Sequence, residues 1–458
     1  MPAEGFYKRR PGSKLLPCGW GYLGKADWGM TITLLKGGRV IDPSQAIDRV
    51  TDLWIEGEKI AAVGDAPHLS PDRIIDVSGR IVCPGLIDMH VHLREPGREE
   101  DETIATGTAS AISGGVTSVA CMPNTEPALD SQAAAEFVIL QAQRAGNAHV
   151  FPIGSITKGR AGQELAEIGG LVEGGAVAFT DDGTPVVNSE IMRRAMEYSK
   201  AFDKAILSHS EDLELTKGAI MNEGVESMRL GLRGYPAAAE EIFIYREIAL
   251  ARLTGARVHI LHVSSAGGVE LIRRAKADGI RVTGEASPHH LTLTDASLRT
   301  FDSNFKMSPP LRTQADIEAL LAGLKDGTID VLATDHAPHS PEKKARELDA
   351  APNGILGLET FIPICIKALI DPGILTWSQM IQKMTIEPAK VLSIDRGTLK
   401  VGAWADVTVI DPGVEWTIDP SKFLSKSRNT PYGGWKVKGR AEQVFVNGRL
   451  AQEKSRLG

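Results

Sequence analysis

The chain has 458 residues, of which 42% are apolar, 24% charged and 5% aromatic, the proportions of a globular protein and not of a fibre or a disordered polymer. Its 51 basic and 58 acidic side chains leave a net charge of −7. No basic block is long enough to track a phosphate backbone, so nucleic acid is not the expected partner. No apolar run approaches the ~18 residues that a membrane span needs.

Residues 1–29, rich in Gly, Pro and basic side chains, read as a poorly ordered extension ahead of a folded unit beginning at Met30. They lack the apolar h-region of a secretory signal. Gly19 to Gly24 spells GxGxxG, and the P-loop-like text there has Ala26 where Ser or Thr belongs. Neither motif follows a strand, so neither is read as a nucleotide site. From Met30 the text turns to short β runs, TITLLKGGRVIDP, DLWIEGEKIAAVG and RIIDVSGRIVCPG, with Gly-bearing turns. Similar text returns after about residue 396, in GTLKVGAWADVTVIDP and AEQVFVNGRLA. The two β-rich ends, 30–84 and 396–458, are expected to pair into one β-sandwich domain around an inserted unit, 85–395. Cys18, Cys83, Cys121 and Cys365 lie far apart and form no CxxC pair, which points to a reducing, cytoplasmic setting.

The inserted unit alternates apolar strand-like runs with Ala-, Glu- and Leu-rich helical stretches. The runs begin at Leu86, Val116, His149, Ala176, Ala205, Ala256, Ile280 and Thr328. Strand–helix alternation implies parallel pairing with crossover helices. Eight such units over about 250 residues are the count and length of a (β/α)8 TIM barrel.

Most runs end in a burst of His, Asp, Asn or Ser, and in a barrel these ends converge on the catalytic face. The first ends His90-Val91-His92, and on a strand residues i and i+2 share a side, so both imidazoles can reach one ion. The fourth ends Thr180-Asp181-Asp182-Gly183, the fifth carries His209, the sixth His262 and the eighth Asp335. Imidazole and carboxylate together suit zinc or a similar borderline divalent ion. Six donors exceed one tetrahedral zinc, which favours two ions with a shared bridge. Of the other histidines, His68 and His149 read as surface residues and His259 as structural. His289 and His290 are placed in the outer shell, His336 is turned from the cavity, and His339 is within reach of substrate.

HVHLREPG from His90, MPNT from Met122, FTDDG, LSHSED, HILHVSS, KMSPPLR from Lys306, ATDHAPH from Ala333 and GLET from Gly357 together resemble dihydroorotase, class I bacterial type, of the amidohydrolase superfamily. The resemblance implies that His90 and His92 hold one zinc ion and His209 and His262 the other, with Asp335 also at the metal centre. Related hydantoinases bridge their ions with a carboxylated lysine. The fourth run here has none, so Asp182, with a hydroxide, is the implied bridge, Asp181 its fallback and Lys158 a rival. The resemblance also places Arg94, Asn124 and His339 on the substrate carboxylate. Ser308 stands where the family usually has asparagine, and Asn353 and Gly354 stand where backbone groups meet the ring.

The implied reaction is the reversible cyclisation of N-carbamoyl-L-aspartate to dihydroorotate, with Asp335 as general base and then acid. Implied partners are the small-molecule substrate, a second copy in a homodimer, and possible association with aspartate transcarbamoylase. Two rival readings are another cyclic amidase, of hydantoinase or allantoinase type, and a non-catalytic scaffold for that transcarbamoylase. The charged loop Ser340 to Gly354 reads either as a lid that moves or as a solvated helix–turn segment.

Overall fold

The computed structural model describes residues 31–453; the expectation for residues 1–29 lies outside them. Five strands come first: β1 Ile32–Asp42, β2 Ile47–Glu56, β3 Lys59–Val63, β4 Arg73–Asp76 and β5 Ile81–Pro84. Eight barrel strands follow within the remainder of the chain. They are β6 Leu86–Val91, β7 Val116–Cys121, β8 His149–Pro152, β9 Ala178–Phe179, β10 Ala205–Ser208, β13 Val258–Ile260, β14 Val282–Ala286 and β15 Val331–Leu332. Between β10 and β13 lies a short parallel pair, β11 Met221–Asn222 and β12 Gly234–Tyr235. Three strands close the chain: β16 Val407–Thr417, β17 Lys436–Val446 and β18 Arg449–Glu453.

All barrel neighbours pair in parallel, in two arcs of order β6-β7-β8 and β9-β10-β13-β14-β15. Two single bridges join the arcs into a ring. Gly154 pairs with Phe179, and Val91 pairs with His336, whose carbonyl accepts the His92 N–H at 2.9 Å. Every residue of β6 and β7 is buried, as expected for strands covered on both faces. Ile206, Ile260 and Leu332 of the strands pack with Val138, Ile244 and Leu320 of the crossover helices in one cluster. Each such side chain contributes roughly 1.5–3 kcal/mol on burial. Two of the crossover helices start on side-chain capping boxes. Thr103 and Thr106 form a capping box at Ile104–Ser113, and Thr313 and Asp316 do so at Gln314–Asp326.

The strands from the two ends form one sheet in the order β18-β17-β16-β5-β1-β2-β3, with β4 beside β1. The expected two layers are therefore halves of a single sheet that folds over one core. Leu35, Leu53 and Ile60 from one half meet Val407, Val409 and Phe445 from the other. Its free edge returns to the start of β16, because Ile60 N–H donates to Ala403 and Ala405 N–H to Glu58. Asp42 ties the two ends together, accepting from Ser44 near β1 and from the Leu399 N–H at 2.7 Å. Gly85 carries the chain from sheet to barrel; a Cβ there would lie 2.2 Å from Thr117 Oγ1.

Candidate metal centre

The polar ends of β6, β9, β10, β13 and β15 meet on one face of the ring, and His90, His92, Asp182, His209, His262 and Asp335 are all buried there. His90 Nε2 lies 3.3 Å from Asp335 Oδ1 and 3.7 Å from Asp182 Oδ1. His92 Nε2 lies 3.1 Å from Asp335 Oδ1 and 3.7 Å from Asp182 Oδ2. Asp182 Oδ1 also faces His209 Nδ1 at 3.3 Å and His262 Nε2 at 3.9 Å. Two sets have the spacing to hold an ion, His90 with Asp182 and His262, and His90 with His92 and Asp335. His90 Nε2 is buried without a hydrogen-bond partner among the described residues. Two carboxylates and four imidazoles sharing a buried space are costly unless a cation balances them. The donor set thus fits a divalent metal of borderline softness.

The electrostatics follow from this crowding. Burial opposes charge on His90, yet Asp335, Glu285 and Asp182 push its imidazole up to about 10. Burial likewise opposes charge on Asp335 and Asp182, but the neighbouring histidines hold both carboxyls below the usual range. His262 goes the other way: burial, with His209 beside it, pushes it down to about 3. Arg94, His262 and Asp335 all have positive φ, at 60°, 32° and 49°. These are backbone states that side-chain-bearing residues adopt only when their surroundings impose them.

The other predicted residues fall into distinct places. Asp181 turns away from the centre to the β8 loop, accepting from Ile156 N–H at 2.8 Å and from the Thr157 hydroxyl. The adjacent Asp182 faces the histidines, as alternation along an extended chain requires. Lys158 reaches outward to Glu164 at 2.7 Å and is half exposed, so the structure does not bring it to the centre. Asn124 accepts from His92 Nδ1 at 2.9 Å and offers its amide to Asp182 Oδ2 at 3.3 Å.

Arg94 is buried and donates through Nε to the Pro338 carbonyl at 3.1 Å. Among the described residues no carboxylate forms an ion pair with it. Burial, with Arg98 nearby, pushes its guanidinium down to about 10. His339 Nε2 donates to the Asn353 carbonyl at 2.8 Å. Gly354, at φ +154°, packs against that ring: a Cβ would lie 2.8 Å from His339 Cδ2 and 2.6 Å from the Ala337 carbonyl. Ser308 and Asn353 line a cavity of about 240 Å³ together with Glu211, Tyr235, Met307 and Pro310. His336 Nδ1 accepts from Gly357 N–H at 3.2 Å, and His290 Nε2 donates to the Pro309 carbonyl at 3.0 Å. His68 is exposed, whereas His149 is half-buried, 3.2 Å from Asp406, and is not the surface residue its position suggests.

A family model described as dihydro-orotase-like matches residues 79–267, and one described as amidohydrolase family matches residues 280–451. The dihydroorotase of Geobacter sp. (strain M21) is 54% identical over 423 residues, covering 92% of this chain and 99% of that protein. This chain belongs to the dihydroorotase family. Another dihydroorotase, from Syntrophus aciditrophicus (strain SB), is 49% identical over 422 residues, with 92% and 99% covered. Among solved structures, L-hydantoinase (dihydropyrimidinase) from Arthrobacter aurescens matches this dihydroorotase-family fold with a TM-score of 0.83. The two are 26% identical, and the match covers 93% of this chain and 97% of that one. A dihydropyrimidinase from Brevibacillus agri NCHU1002 shares the fold at a TM-score of 0.79 and 24% identity, with 92% and 95% covered.

Beyond the candidate metal donors of this dihydroorotase-family chain, several buried groups at this face have no sequence signature that marks their role. Glu285 accepts from His90 Nδ1 at 2.6 Å. Glu211, which lies inside the LSHSED motif, pairs with His209 Nε2 at 2.9 Å. Asp88 accepts from Thr334 N–H at 3.1 Å and so joins β6 to the residue before Asp335. Asn429 donates to the carbonyls of Ala337 and Gly354, at 2.9 and 3.0 Å, and accepts from His339 N–H at 3.0 Å. The segment from Ser340 to Gly354 is clamped and not simply solvated. Lys306 Nζ grips the Ala351 carbonyl at 2.7 Å, Lys344 Nζ the Pro352 carbonyl at 3.0 Å, and Lys343 pairs with Asp101 at 2.6 Å.

Proposed function

We propose that this chain catalyses the zinc-dependent, reversible cyclisation of N-carbamoyl-L-aspartate to (S)-dihydroorotate and water, the ring-closing step of pyrimidine synthesis. The observation that carries this reading is Arg94. A buried guanidinium without a carboxylate partner, beside a cluster of metal donors, suits a substrate that brings its own carboxylate to a bidentate fork. Hydantoin and allantoin bring none.

In this reading His90 and His92 would hold one zinc ion and His209 and His262 the second, with the Asp182 carboxylate between the two pairs. Metal ions so held supply a nucleophile of pKa about 7 and polarise the amide carbonyl. Arg94 takes the free carboxylate, with Asn124 and His339 alongside. Ser308 and the backbone of Asn353 and Gly354 border the ring. In ring opening, the Asp335 carboxylate accepts the proton of the attacking water and returns it to the leaving ring nitrogen as the C–N bond breaks. In ring closure the same carboxylate accepts the ureido N–H proton, the C–N bond forms, and water leaves.

The domain division that accompanies this reading is 30–84 with 396–458 for the sheet unit and 85–395 for the barrel. The setting is a cytoplasmic homodimer, with aspartate transcarbamoylase as a candidate partner. Among the described residues no helix is long and apolar enough to cross a membrane. The test is a comparison of ring-opening rates on dihydroorotate, hydantoin and allantoin by the metal-replete protein, with a metal count on the same sample. Dihydroorotate is expected to be strongly preferred and two zinc ions per chain to be found. Equal or faster turnover of the uncharged rings would overturn the substrate assignment, and a protein free of metal and activity would favour the scaffold reading.

A further inference from the structure

We infer that Glu285 is a positioning residue that fixes two metal donors at once, His90 through its ring and His262 through its backbone. The inference rests on the metal-dependent reading above. Glu285 is fully buried on β14, a strand held on both sides by β13 and β15, so its carboxylate has little freedom. Oε1 accepts from His90 Nδ1 at 2.6 Å and from the His262 backbone N–H at 3.1 Å. Oε2 accepts from His259 Nε2 at 3.2 Å, and the far side of that ring faces Thr283 Oγ1 at 2.8 Å. A chain of hydrogen bonds therefore runs from Thr283 through His259 and Glu285 to His90.

This arrangement has two consequences. First, an Nδ1–H given to Glu285 leaves the lone pair of His90 on Nε2. That is the buried atom with no hydrogen-bond partner, 3.3 Å from Asp335 and 3.7 Å from Asp182. Because His90 occurs in both candidate donor sets, one carboxylate sets the tautomer on which both depend. A hydrogen-bonded carboxylate also makes the ligating nitrogen more basic, and such partners are worth 10–100-fold in metal affinity. Second, His262 sits at φ +32°, and its N–H bond to Glu285 is one of the contacts that hold this unfavourable backbone in place. Among the described residues no lysine or arginine pairs with Glu285. Its carboxylate is met by N–H groups, those of the His90 and His259 rings and of the His262 backbone.

The fold leaves a clean way to remove that charge. In Glu285→Gln the amide oxygen can still accept from His90 while the amide nitrogen donates to His259, whose other nitrogen can donate to Thr283. The side-chain network thus stays satisfied. The metal-free parent and Glu285→Gln are titrated with Co2+ in the presence of a competing chelator, following the visible spectrum of the bound ion. Circular dichroism and thermal unfolding are recorded on the metal-free forms. The expected result is a 10–100-fold weaker Co2+ affinity and an altered spectrum with the fold retained, and a loss in kcat that exceeds any change in KM. His259→Leu, which frees Oε2 without touching a metal donor, is expected to show a smaller loss in the same direction, and it serves as the test should Glu285→Gln fail to fold. A variant that binds Co2+ with parental affinity and spectrum overturns this inference alone. A parent that binds no Co2+ or Zn2+ overturns the metal reading and this inference with it.

Discussion

Replacing Asp335 by asparagine separates two tasks that one carboxylate performs. Asp335 Oδ1 lies 3.1 Å from His92 Nε2 and 3.3 Å from His90 Nε2, so it belongs to the donor set His90–His92–Asp335. The other set, His90 with Asp182 and His262, keeps all its atoms. Asparagine preserves the shape and one oxygen but has no carboxylate to accept a proton. Loss of a positioned general base costs about 10²–10⁴ in rate, or roughly 2.7–5.4 kcal/mol of barrier. Metal content is therefore expected to fall only in part while turnover nearly disappears. The assay is ring opening of dihydroorotate and ring closure of carbamoyl-aspartate at saturating substrate, with zinc counted by plasma mass spectrometry. A variant within tenfold of the parent in both directions refutes the proton transfer. A variant stripped of all metal refutes the separation of the two tasks.

Arg94→Ala is expected to weaken binding of carbamoyl-aspartate by about 10–150-fold, the worth of hydrogen bonds to a charged group, as read by calorimetry. Unchanged affinity would place the carboxylate elsewhere. Gly354→Ala puts a methyl 2.8 Å from His339 Cδ2 and 2.6 Å from the Ala337 carbonyl, so ring and loop must shift and KM for dihydroorotate should rise; an unchanged KM removes His339 from the substrate. Arg312→Met strands the buried Glu240, which now lies 3.3 Å from the guanidinium. Loss of one partner costs about 3–5 kcal/mol, read as a drop in urea midpoint that Glu240→Leu should partly restore. Burial pushes the Lys344 ammonium down to about 7, against about 10.4 in an unfolded chain. Between those values the unfolded chain binds more protons, so this group makes stability climb with pH from about 7 towards 10. The penalty is fully present below 7, where both states are charged. Lys344→Met should flatten that climb in urea titrations across the window.

The barrel was legible because its runs are apolar along the strand and chemically mixed at one end, a pattern that survives even where the strand shrinks to Ala178–Phe179. The HxH pair, Asp182, His209, His262 and Asp335 were legible for the same reason, since each closes a run. Glu285 closes the seventh run equally well, but a single carboxylate followed by a serine and two histidines offers no spacing that distinguishes it from a surface residue. His259 stands three places before His262 and reads as facing away. It does face away from the donors, and for that reason it meets the far oxygen of Glu285. The contacts of Arg312, although it closes the KMSPPLR motif, and of Asn429 were beyond reach for another reason. Their partners, Glu240, Asn222, Ala337 and Gly354, lie about 70–100 residues away along the chain, and no local period connects them.

The seam between the two chain ends also bears on how this molecule is made. β5 is flanked by β1, which precedes it, and by β16, which emerges more than three hundred residues later. Until β16 leaves the ribosome, β5 presents bare amides, and Asp42 lacks the Leu399 donor that completes its ring of contacts. A nascent chain halted near residue 400 would thus carry a finished ring of barrel strands beside a raw, adhesive border, the kind of edge that invites association with the wrong neighbour.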